Sequence, residues 1–233
     1  MLPGWRAFMS ESCSYVPVKG TVYGVALDVD DLGGHPPDLF RDPPYHRLPT
    51  APVLFIKPRN TYLANGGTVH LPSSLSELEA SAALAMIFGR DTRRVCSTNA
   101  LDGVAGYTLA IDLSEPGSGY FRPPIREKCR DGFLPIGPSI VPPEAIADLD
   151  SLVISLEVDG KEAASACVGQ GVSKIARLIE HVSSFMTLRA GDALLAFRTP
   201  LGVRTSIGSR IAAVAAGIGR LECSLESEAQ GAS

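Results

Sequence analysis

Short apolar runs, rich in β-branched residues and separated by turns, are the dominant pattern along this chain. Buried strands are predicted at residues 20–27, 51–57, 104–113, 152–158 and 193–197 and within 211–225, because these runs carry few charges and end at turn residues. Asp159-Gly160 and Gly217–Gly219 are typical of turns between neighbouring strands, and short strands are also predicted around Asn65-Gly66-Gly67. The pattern favours a domain built mainly of sheets.

Helical spacing is clear in one segment. Between residues 172 and 186 apolar side chains recur every three or four positions, which predicts an amphipathic helix. Residues 77–89 are ambiguous, because their alanines favour a helix while the final apolar run before Gly89 suits a buried strand. A short helix is also predicted at 98–103. The sequence thus predicts an α+β, β-rich domain with few helices.

Composition agrees with one turn-rich domain. The chain has 233 residues, of which 45% are hydrophobic and 20% charged, ordinary values for a folded domain. Its 23 glycines and 18 prolines fit many turns, and two segments without hydrophobic periodicity, 28–50 and 114–139, are predicted to be irregular. We expect a loose lead-in at residues 1–19, one domain over 20–225 and a tail at 226–233.

Charge and cysteine content argue against several classes of partner and compartment. A net charge of −4 without a Lys/Arg-rich stripe argues against nucleic acid, and no apolar run approaches the roughly 18 residues of a membrane span. The five cysteines are widely spaced and contain no CxxC pair. Since the first residues also lack the apolar core of a signal peptide, we expect a cytoplasmic protein with reduced thiols.

Six segments, in order along the chain, carry a resemblance to a known family. They are residues 20–27 (GTVYGVAL), 51–61 (APVLFIKPRNT), 104–112 (VAGYTLAID), 121–141 (FRPPIREKCRDGFLPIGPSIV), 185–203 (FMTLRAGDALLAFRTPLGV) and 217–222 (GIGRLE). On these motifs the chain resembles the fumarylacetoacetate hydrolase superfamily. The run at 120–132 (YFRPPIREKCRDG) is similar to the N-terminal half, or separate small subunit, of homoprotocatechuate (4-hydroxyphenylacetate) pathway bifunctional isomerase/decarboxylases.

The resemblance implies a fold, a cofactor and a class of substrate. The fold is a mixed β-roll that commonly dimerises, and the cofactor is Mg²⁺ or Mn²⁺ held by two Glu and one Asp. Such a hard cation prefers carboxylate oxygens and acts as a Lewis acid on a bound oxo-acid or enol-acid. Isomerisation and decarboxylation of these acids both place negative charge on a carbonyl oxygen, which a neighbouring cation stabilises.

Two of the three metal ligands implied by the resemblance are replaced in this chain. The paired Glu positions correspond to Ser81 and Ala83, counted back from Gly89, and the third ligand corresponds to Asp112. One carboxylate alone binds Mg²⁺ poorly. The family's Mg²⁺ or Mn²⁺ is therefore expected to bind weakly or not at all, with Asp112 either a remaining ligand or a structural hydrogen-bonding residue.

Cationic and polar residues remain where the resemblance implies a substrate pocket. The candidate catalytic residues are Lys128 and Asp131, and the candidate substrate-binding residues are Tyr120, Arg122, Thr199 and Arg198. Arg grips carboxylates in a bidentate way and Lys faces a developing oxyanion. The alternative for the 120–131 segment is a solvated basic loop paired with its own acidic residues.

Two further residues leave alternatives open. Arg198 replaces the glycine of the family's Gly-Thr-Pro loop, and it either fills part of the cavity or supplies charge in place of the metal. His35, in the early loop, is either a general base or a solvated histidine.

Two functions are compatible with these features. The first is an enzyme of aromatic catabolism that isomerises or decarboxylates an oxo/enol diacid, of the 2-hydroxyhepta-2,4-diene-1,7-dioate isomerase or 5-oxopent-3-ene-1,2,5-tricarboxylate decarboxylase type. The second is a catalytically degenerate, metal-free subunit that partners a metal-competent homologue. The expected partners are a small-molecule oxo-diacid and a second subunit, in a homodimer or a hetero-oligomer. Cationic groups alone stabilise the electron pair released in β-keto acid decarboxylation, so losing metal ligands does not exclude chemistry.

Overall fold

The structure, a computed structural model, describes residues 15–27, 37–43, 46–117, 123–169, 171–200 and 202–228. Within these ranges the strands are β1 (Val22–Leu27), β2 (Val53–Lys57), β3 (Tyr62–Leu63), β4 (Gly67–Leu71), β5 (Glu77–Phe88), β6 (Val104–Ser114), β7 (Leu134–Pro135), β8 (Val153–Val158), β9 (Lys161–Cys167), β10 (Ala193–Arg198), β11 (Val203–Ser206), β12 (Arg210–Ala215) and β13 (Gly219–Ser227). The α-helices are α1 (Ile125–Lys128) and α2 (Gly171–Phe185), and short 3-10 turns join several strands.

The first sheet is organised around the long strand β5. β6 pairs antiparallel with β5 along one edge, from Glu79 opposite Ser114 to Phe88 opposite Val104. β10 and β11 follow one another along the other edge, both antiparallel to β5. β1 runs parallel to β10, and β2 runs antiparallel to β1 at the margin. β5 is therefore the central strand of this sheet.

The second sheet has the strand order β4-β13-β12-β8-β9. Hairpins join β8 to β9 and β12 to β13, and the first turns at Asp159 and Gly160, which both have positive φ. Such a turn matches the right-handed twist of its flanking strands. The predicted turn after Asn65 also forms, but its flanking strands separate, because β3 pairs with β7 and β4 with β13.

Apolar side chains cover both faces of the first sheet. On one face, side chains such as Leu84 and Met86 of β5 form the main core with the second sheet and α2. On the other face, side chains such as Ala83 and Ala85 form a smaller second core with residues of β1, β2 and β7. Because both faces of β5 are buried, residues 77–89 form a strand, and the helical alternative is wrong.

Most of the remaining predictions of local structure are confirmed. The helix predicted at 172–186 is α2, and the short helix predicted at 98–103 is a 3-10 helix at Ser97–Gly103. The α+β, β-rich fold class is confirmed, whereas the division of the chain at residues 19 and 226 stays a prediction. No helix in the part of the chain that the structure describes is long and apolar enough to cross a membrane.

Candidate active site

Asp112 lies at the centre of the candidate site, on the side of the first sheet that faces the second core. It pairs with Ser81 across β5 and β6, and directly opposed residues of antiparallel strands project to the same face. Asp112 is 2% exposed and Ser81 is completely buried. One of the two positions assigned to a metal-binding Glu therefore lies beside Asp112 but holds a serine.

Three cationic side chains surround the Asp112 carboxylate. Lys57 Nζ, at the end of β2, lies 2.8 Å from Oδ1, and Lys128 Nζ, at the end of α1, lies 2.8 Å from Oδ2. Arg198 Nη1, at the end of β10, lies 3.0 Å from Oδ2. We name these four residues the Asp112 cluster. With three cations and one carboxylate, the cluster has an excess of positive charge. Lys128 is buried, so the alternative of a solvated loop does not hold for this residue.

Lys57 is anchored by the backbone. Its ammonium donates hydrogen bonds of 2.8 to 2.9 Å to the carbonyl oxygens of Leu113, Lys128 and Phe133. The same ammonium lies 2.8 Å from Asp112 Oδ1 in a buried ion pair. Lys57 thus holds the chain on either side of Asp112 and Lys128 together, which is a structural role.

One buried polar atom of the site has no hydrogen-bond partner within the described ranges. It is Ser81 Oγ, on the residue directly opposite Asp112 across β5 and β6. Buried side-chain polar atoms are normally satisfied by protein or by ordered water. The Ser81 hydroxyl is therefore unfavourable for stability unless ordered water satisfies it.

Burial and charge act in opposite directions on the titratable groups of the cluster. Burial favours the neutral form of Asp112, but Lys128, Lys57 and Arg198 favour the carboxylate, and the net effect holds the pKa of Asp112 far below its ordinary value. Burial lowers the pKa of Lys57 to about 8, with Lys128 acting in the same direction and Asp112 opposing it. At neutral pH the Asp112 side chain is therefore a carboxylate.

An aromatic ring covers the cationic side of the cluster. The centroid of the Phe55 ring lies 4.6 Å from Lys128 Nζ and 5.5 Å from Arg198 Cζ, within the range of cation–π contacts. Gly24 of β1 makes room for this ring, because a Cβ at position 24 would overlap it. The sequence did not predict a role for Phe55 or Gly24. A glycine inside an apolar strand was the one signal that another group approaches the backbone closely there.

A β-bulge directs Arg198 towards the cluster. β10 pairs with β5 regularly up to Ala196 opposite Leu84, but the next pair is Arg198 opposite Ala83. Phe197 is therefore the extra residue, and its φ of 47° is uncommon for a residue other than glycine. In a regular strand Phe197 would oppose Ala83, and Arg198 would face the opposite side of the sheet.

Thr199 fixes the chain directly after Arg198. Its N–H donates to the carbonyl of Ala82 at 2.8 Å, and its hydroxyl oxygen accepts from the N–H of Ala82 at 3.0 Å. The described contacts of Thr199 are thus with the backbone of β5, and they hold the bulge against that strand. A role for Thr199 in substrate binding stays a prediction.

The other residues predicted for the site are not brought to the cluster. Asp131 is exposed and accepts a hydrogen bond of 2.7 Å from Asn60 Nδ2, so its catalytic role stays a prediction without a contact to Asp112. Tyr120, Arg122 and His35 lie outside the described residues.

The donors around Asp112 do not fit the Mg²⁺ or Mn²⁺ that the family resemblance implies. These ions require several oxygen ligands, and carboxylates are the preferred ones. Here Ser81 and Ala83 occupy the two Glu positions, and the one carboxylate already contacts three cations that repel a fourth. Within the described ranges, no group of three or more His, Cys, Asp or Glu side chains is placed to hold a metal ion.

A cavity of about 330 Å³ opens at the end of β10. Its lining includes Arg198 and Thr199 together with Phe197 and Lys174, but none of the other three residues of the Asp112 cluster. Arg198 is therefore the residue that the cavity and the cluster share.

The sequence matches the family model described as Fumarylacetoacetate (FAA) hydrolase C-terminal over residues 22–226. The chain belongs to this family. The 4-hydroxyphenylacetate degradation bifunctional isomerase/decarboxylase of Salmonella dublin is 36% identical over 205 residues, which cover 88% of this chain and 47% of that protein. The chain thus spans about half the length of this relative. A mitochondrial oxaloacetate tautomerase of Arabidopsis thaliana is 35% identical over 187 residues, which cover 77% of this chain and 82% of that protein.

A solved structure supports the same fold. Maleylpyruvate hydrolase from Sphingobium sp. SYK-6, in complex with manganese(II) and pyruvate, aligns with a TM-score of 0.67 at 22% identity, covering 89% of this chain and 69% of that one. The expected β-roll of the fumarylacetoacetate hydrolase type is confirmed, while the manganese belongs to that hydrolase. The comparisons give no support to the alternative of a subunit without chemistry of its own.

Proposed function

We propose that this chain is an enzyme of aromatic catabolism that isomerises or decarboxylates an oxo/enol diacid. The observation that carries the proposal is the Asp112 cluster, which places buried positive charge at the end of β10 in a fumarylacetoacetate hydrolase family member. Excess buried positive charge favours an anionic ligand, because desolvated charge is costly unless it is paired. The relative from Salmonella dublin, by its name an isomerase/decarboxylase, supports this class of reaction.

Lys128 and Arg198 are assigned the role of stabilising the reacting oxygen. Both side chains keep a small exposed fraction, 10% for Lys128 and 11% for Arg198, whereas Asp112 and Lys57 have none. A substrate therefore meets the first two residues. Asp112 behind them orients both cations, and Phe55 excludes water from one side, which strengthens electrostatic interactions.

The two reactions share one charge distribution. In isomerisation the enol oxygen gives up its proton to water, the electron pair is delocalised as an enolate, and a proton from water is added at carbon. In decarboxylation the bond to the carboxylate carbon breaks, carbon dioxide leaves, and its electron pair forms the same kind of enolate before carbon is protonated. In both cases the cationic groups act on an oxygen that gains negative charge in the transition state.

The finer expectations belong to this proposal. The substrate is a small oxo-diacid, and the assembly is a homodimer or a hetero-oligomer with a homologous subunit, as the family resemblance implies. A cytoplasmic location remains our prediction. Light scattering coupled to size-exclusion chromatography measures the assembly, alone and mixed with a homologue that carries both Glu ligands.

Turnover of the diacid tests the function. Purified chain is mixed with 2-hydroxyhepta-2,4-diene-1,7-dioate, with 5-oxopent-3-ene-1,2,5-tricarboxylate and with oxaloacetate, and the enol absorbance and released carbon dioxide are followed. We expect turnover of at least one of these acids. Lys128→Ala is expected to reduce kcat about 100-fold or more, as when one preorganised oxyanion donor is removed.

Lys161→Ala is the matched control, because Lys161 is exposed on β9 of the second sheet, whereas Asp112 and Arg198 of the cluster lie on the first sheet. Its turnover should equal that of the unmodified chain. Equal turnover by Lys128→Ala would remove Lys128 from the site, and absence of turnover with all three acids would contradict the proposed function.

A further inference from the structure

The source of positive charge distinguishes this site from the metal centre that the family resemblance implies. In that centre positions 81, 83 and 112 would direct carboxylates at a divalent cation. Here Ser81 and Ala83 supply none, and Arg198, directly opposite Ala83, reaches Asp112. We infer that the guanidinium of Arg198 takes the place of that divalent cation, so that this chain binds the oxo group of its ligand with a cation of its own. The nature of the ligand rests on the proposed function.

The backbone of β10 places this guanidinium. Without the bulge at Phe197, Arg198 would project to the face of the main core. The left-handed conformation of Phe197 is unfavourable and persists only where neighbouring contacts enforce it. Thr199 provides those contacts through two hydrogen bonds to Ala82. The arginine and the bulge therefore act together.

The size of residue 83 is complementary to this placement. Side chains of directly opposed residues start about 4.5–5.5 Å apart on the same face. A glutamate at position 83 would compete with the Arg198 side chain for the space in front of Asp112. The completely buried methyl group of Ala83 leaves that space to the guanidinium.

The guanidinium keeps donors for a ligand. Nη1 of Arg198 donates to Asp112 at 3.0 Å and Nη2 donates to the carbonyl of Ala26 at 3.3 Å, which leaves other N–H groups of the fork without a described acceptor. A planar guanidinium donates two parallel hydrogen bonds to adjacent oxygens. The adjacent carboxylate and oxo oxygens of an α-oxo acid present this arrangement, and Lys128 lies beside it on the same carboxylate oxygen.

Binding of oxalate and of Mn²⁺ tests the inference without any turnover. Oxalate carries two adjacent carboxylates and is the anionic probe. With EDTA present, we expect the unmodified chain to bind oxalate in isothermal titration calorimetry, and Mn²⁺ without EDTA should not tighten this binding. Arg198→Met, which keeps length and removes charge, should weaken oxalate binding about tenfold or more, the effect of losing charge-assisted hydrogen bonds.

Arg204→Met is the matched control. Arg204 lies on β11, pairs with Glu77 at 2.7 Å and is 61% exposed, so its replacement should leave the affinity for oxalate unchanged. Absence of metal-free oxalate binding, oxalate binding that requires Mn²⁺, or equal oxalate affinity in Arg198→Met would each overturn the inference.

A second set of variants asks whether the arginine and the metal exclude one another. Ser81→Glu combined with Ala83→Glu and Arg198→Gly adds two carboxylates beside Asp112 and removes the guanidinium. We expect this triple variant to bind Mn²⁺, measured by loss of the free-ion signal in electron paramagnetic resonance. The double variant that retains Arg198 should bind Mn²⁺ at least about tenfold more weakly. Equal Mn²⁺ affinity would overturn the inference, and if circular dichroism shows that either variant is unfolded, Arg198→Met alone decides.

The two proposals fail separately. Metal-free oxalate binding that depends on Arg198, without turnover of any diacid, would retain the assignment of Arg198 and remove the proposed reaction. Turnover that occurs only with added Mn²⁺ would retain the reaction and remove the assignment of Arg198.

Discussion

Two charged clusters on the sheets of this protein differ in charge balance and in burial. In the Asp112 cluster one carboxylate contacts three cations, and the Asp112 and Lys57 side chains are completely buried. On the second sheet one arginine, Arg220, contacts the carboxylates of Glu157 and Glu222. The Arg220 side chain is 44% exposed and that of Glu222 49%. Both clusters connect residues of different strands through ion pairs, but only the first is shielded from water.

The difference shows that burial, and not the number of ion pairs, gives a charged cluster its chemical properties. Around Arg220 water screens the charges, and such pairs contribute little to stability. Around Asp112 the same contacts act in a low dielectric, where removing one partner leaves uncompensated charge. The buried cluster is therefore the one able to bind and polarise an anionic ligand.

Replacing Asp112 should produce the largest effect on stability. Asp112→Asn removes the carboxylate that pairs with three cations, and breaking a buried ion pair in this way costs about 3–5 kcal/mol. We expect the free energy of unfolding, measured by urea titration, to fall by that amount.

The exposed cluster supplies the matched control for this change. Glu157→Gln removes a carboxylate that contacts Arg220 at 2.8 Å. The expected loss is about 0.2–1 kcal/mol, as for other partly exposed pairs. Similar losses in the two variants would contradict the distinction between the clusters.

Acid should weaken the buried cluster over a defined range of pH. The folded protein holds the pKa of Asp112 far below its ordinary value, while the unfolded chain titrates it near about 3.9. The unfolded state thus takes up a proton that the folded state does not, so the stabilisation is complete above about pH 4–5 and decreases as the pH falls further. Urea unfolding between pH 6 and 3 should show a steeper loss for the unmodified chain than for Asp112→Asn, by up to about 1.4 kcal/mol per pH unit. Parallel curves would show that Asp112 titrates normally in the folded state.

Removing the hydroxyl of Ser81 should change stability less than replacing Asp112, and in the opposite direction. Ser81 Oγ is buried and has no hydrogen-bond partner among the described residues. Since an unsatisfied buried hydroxyl is unfavourable, Ser81→Ala is expected to raise the free energy of unfolding by about 1 kcal/mol. A loss of stability would show that the hydroxyl is satisfied by ordered water.

Much of the fold was predictable because local pattern and tertiary structure agree. The spacing of apolar residues in α2 and the Asp159-Gly160 turn each select one local structure, and both form as predicted. The family resemblance also directed attention to Lys128, Arg198 and Asp112, which the structure brings together. The contact of Lys57 with Asp112 was not predicted, since these residues are far apart in sequence and the contact exists only after β2 has joined the first sheet.

By itself, the sequence determined a β-rich domain, one amphipathic helix, and the replacement of two carboxylates by Ser81 and Ala83. The tertiary structure decided that β5 is a strand, because burial of both its faces outweighs the helical preference of its alanines. It also decided the direction of Arg198. A side chain's face on a strand depends on pairing register, and the single extra residue at Phe197 reverses that face.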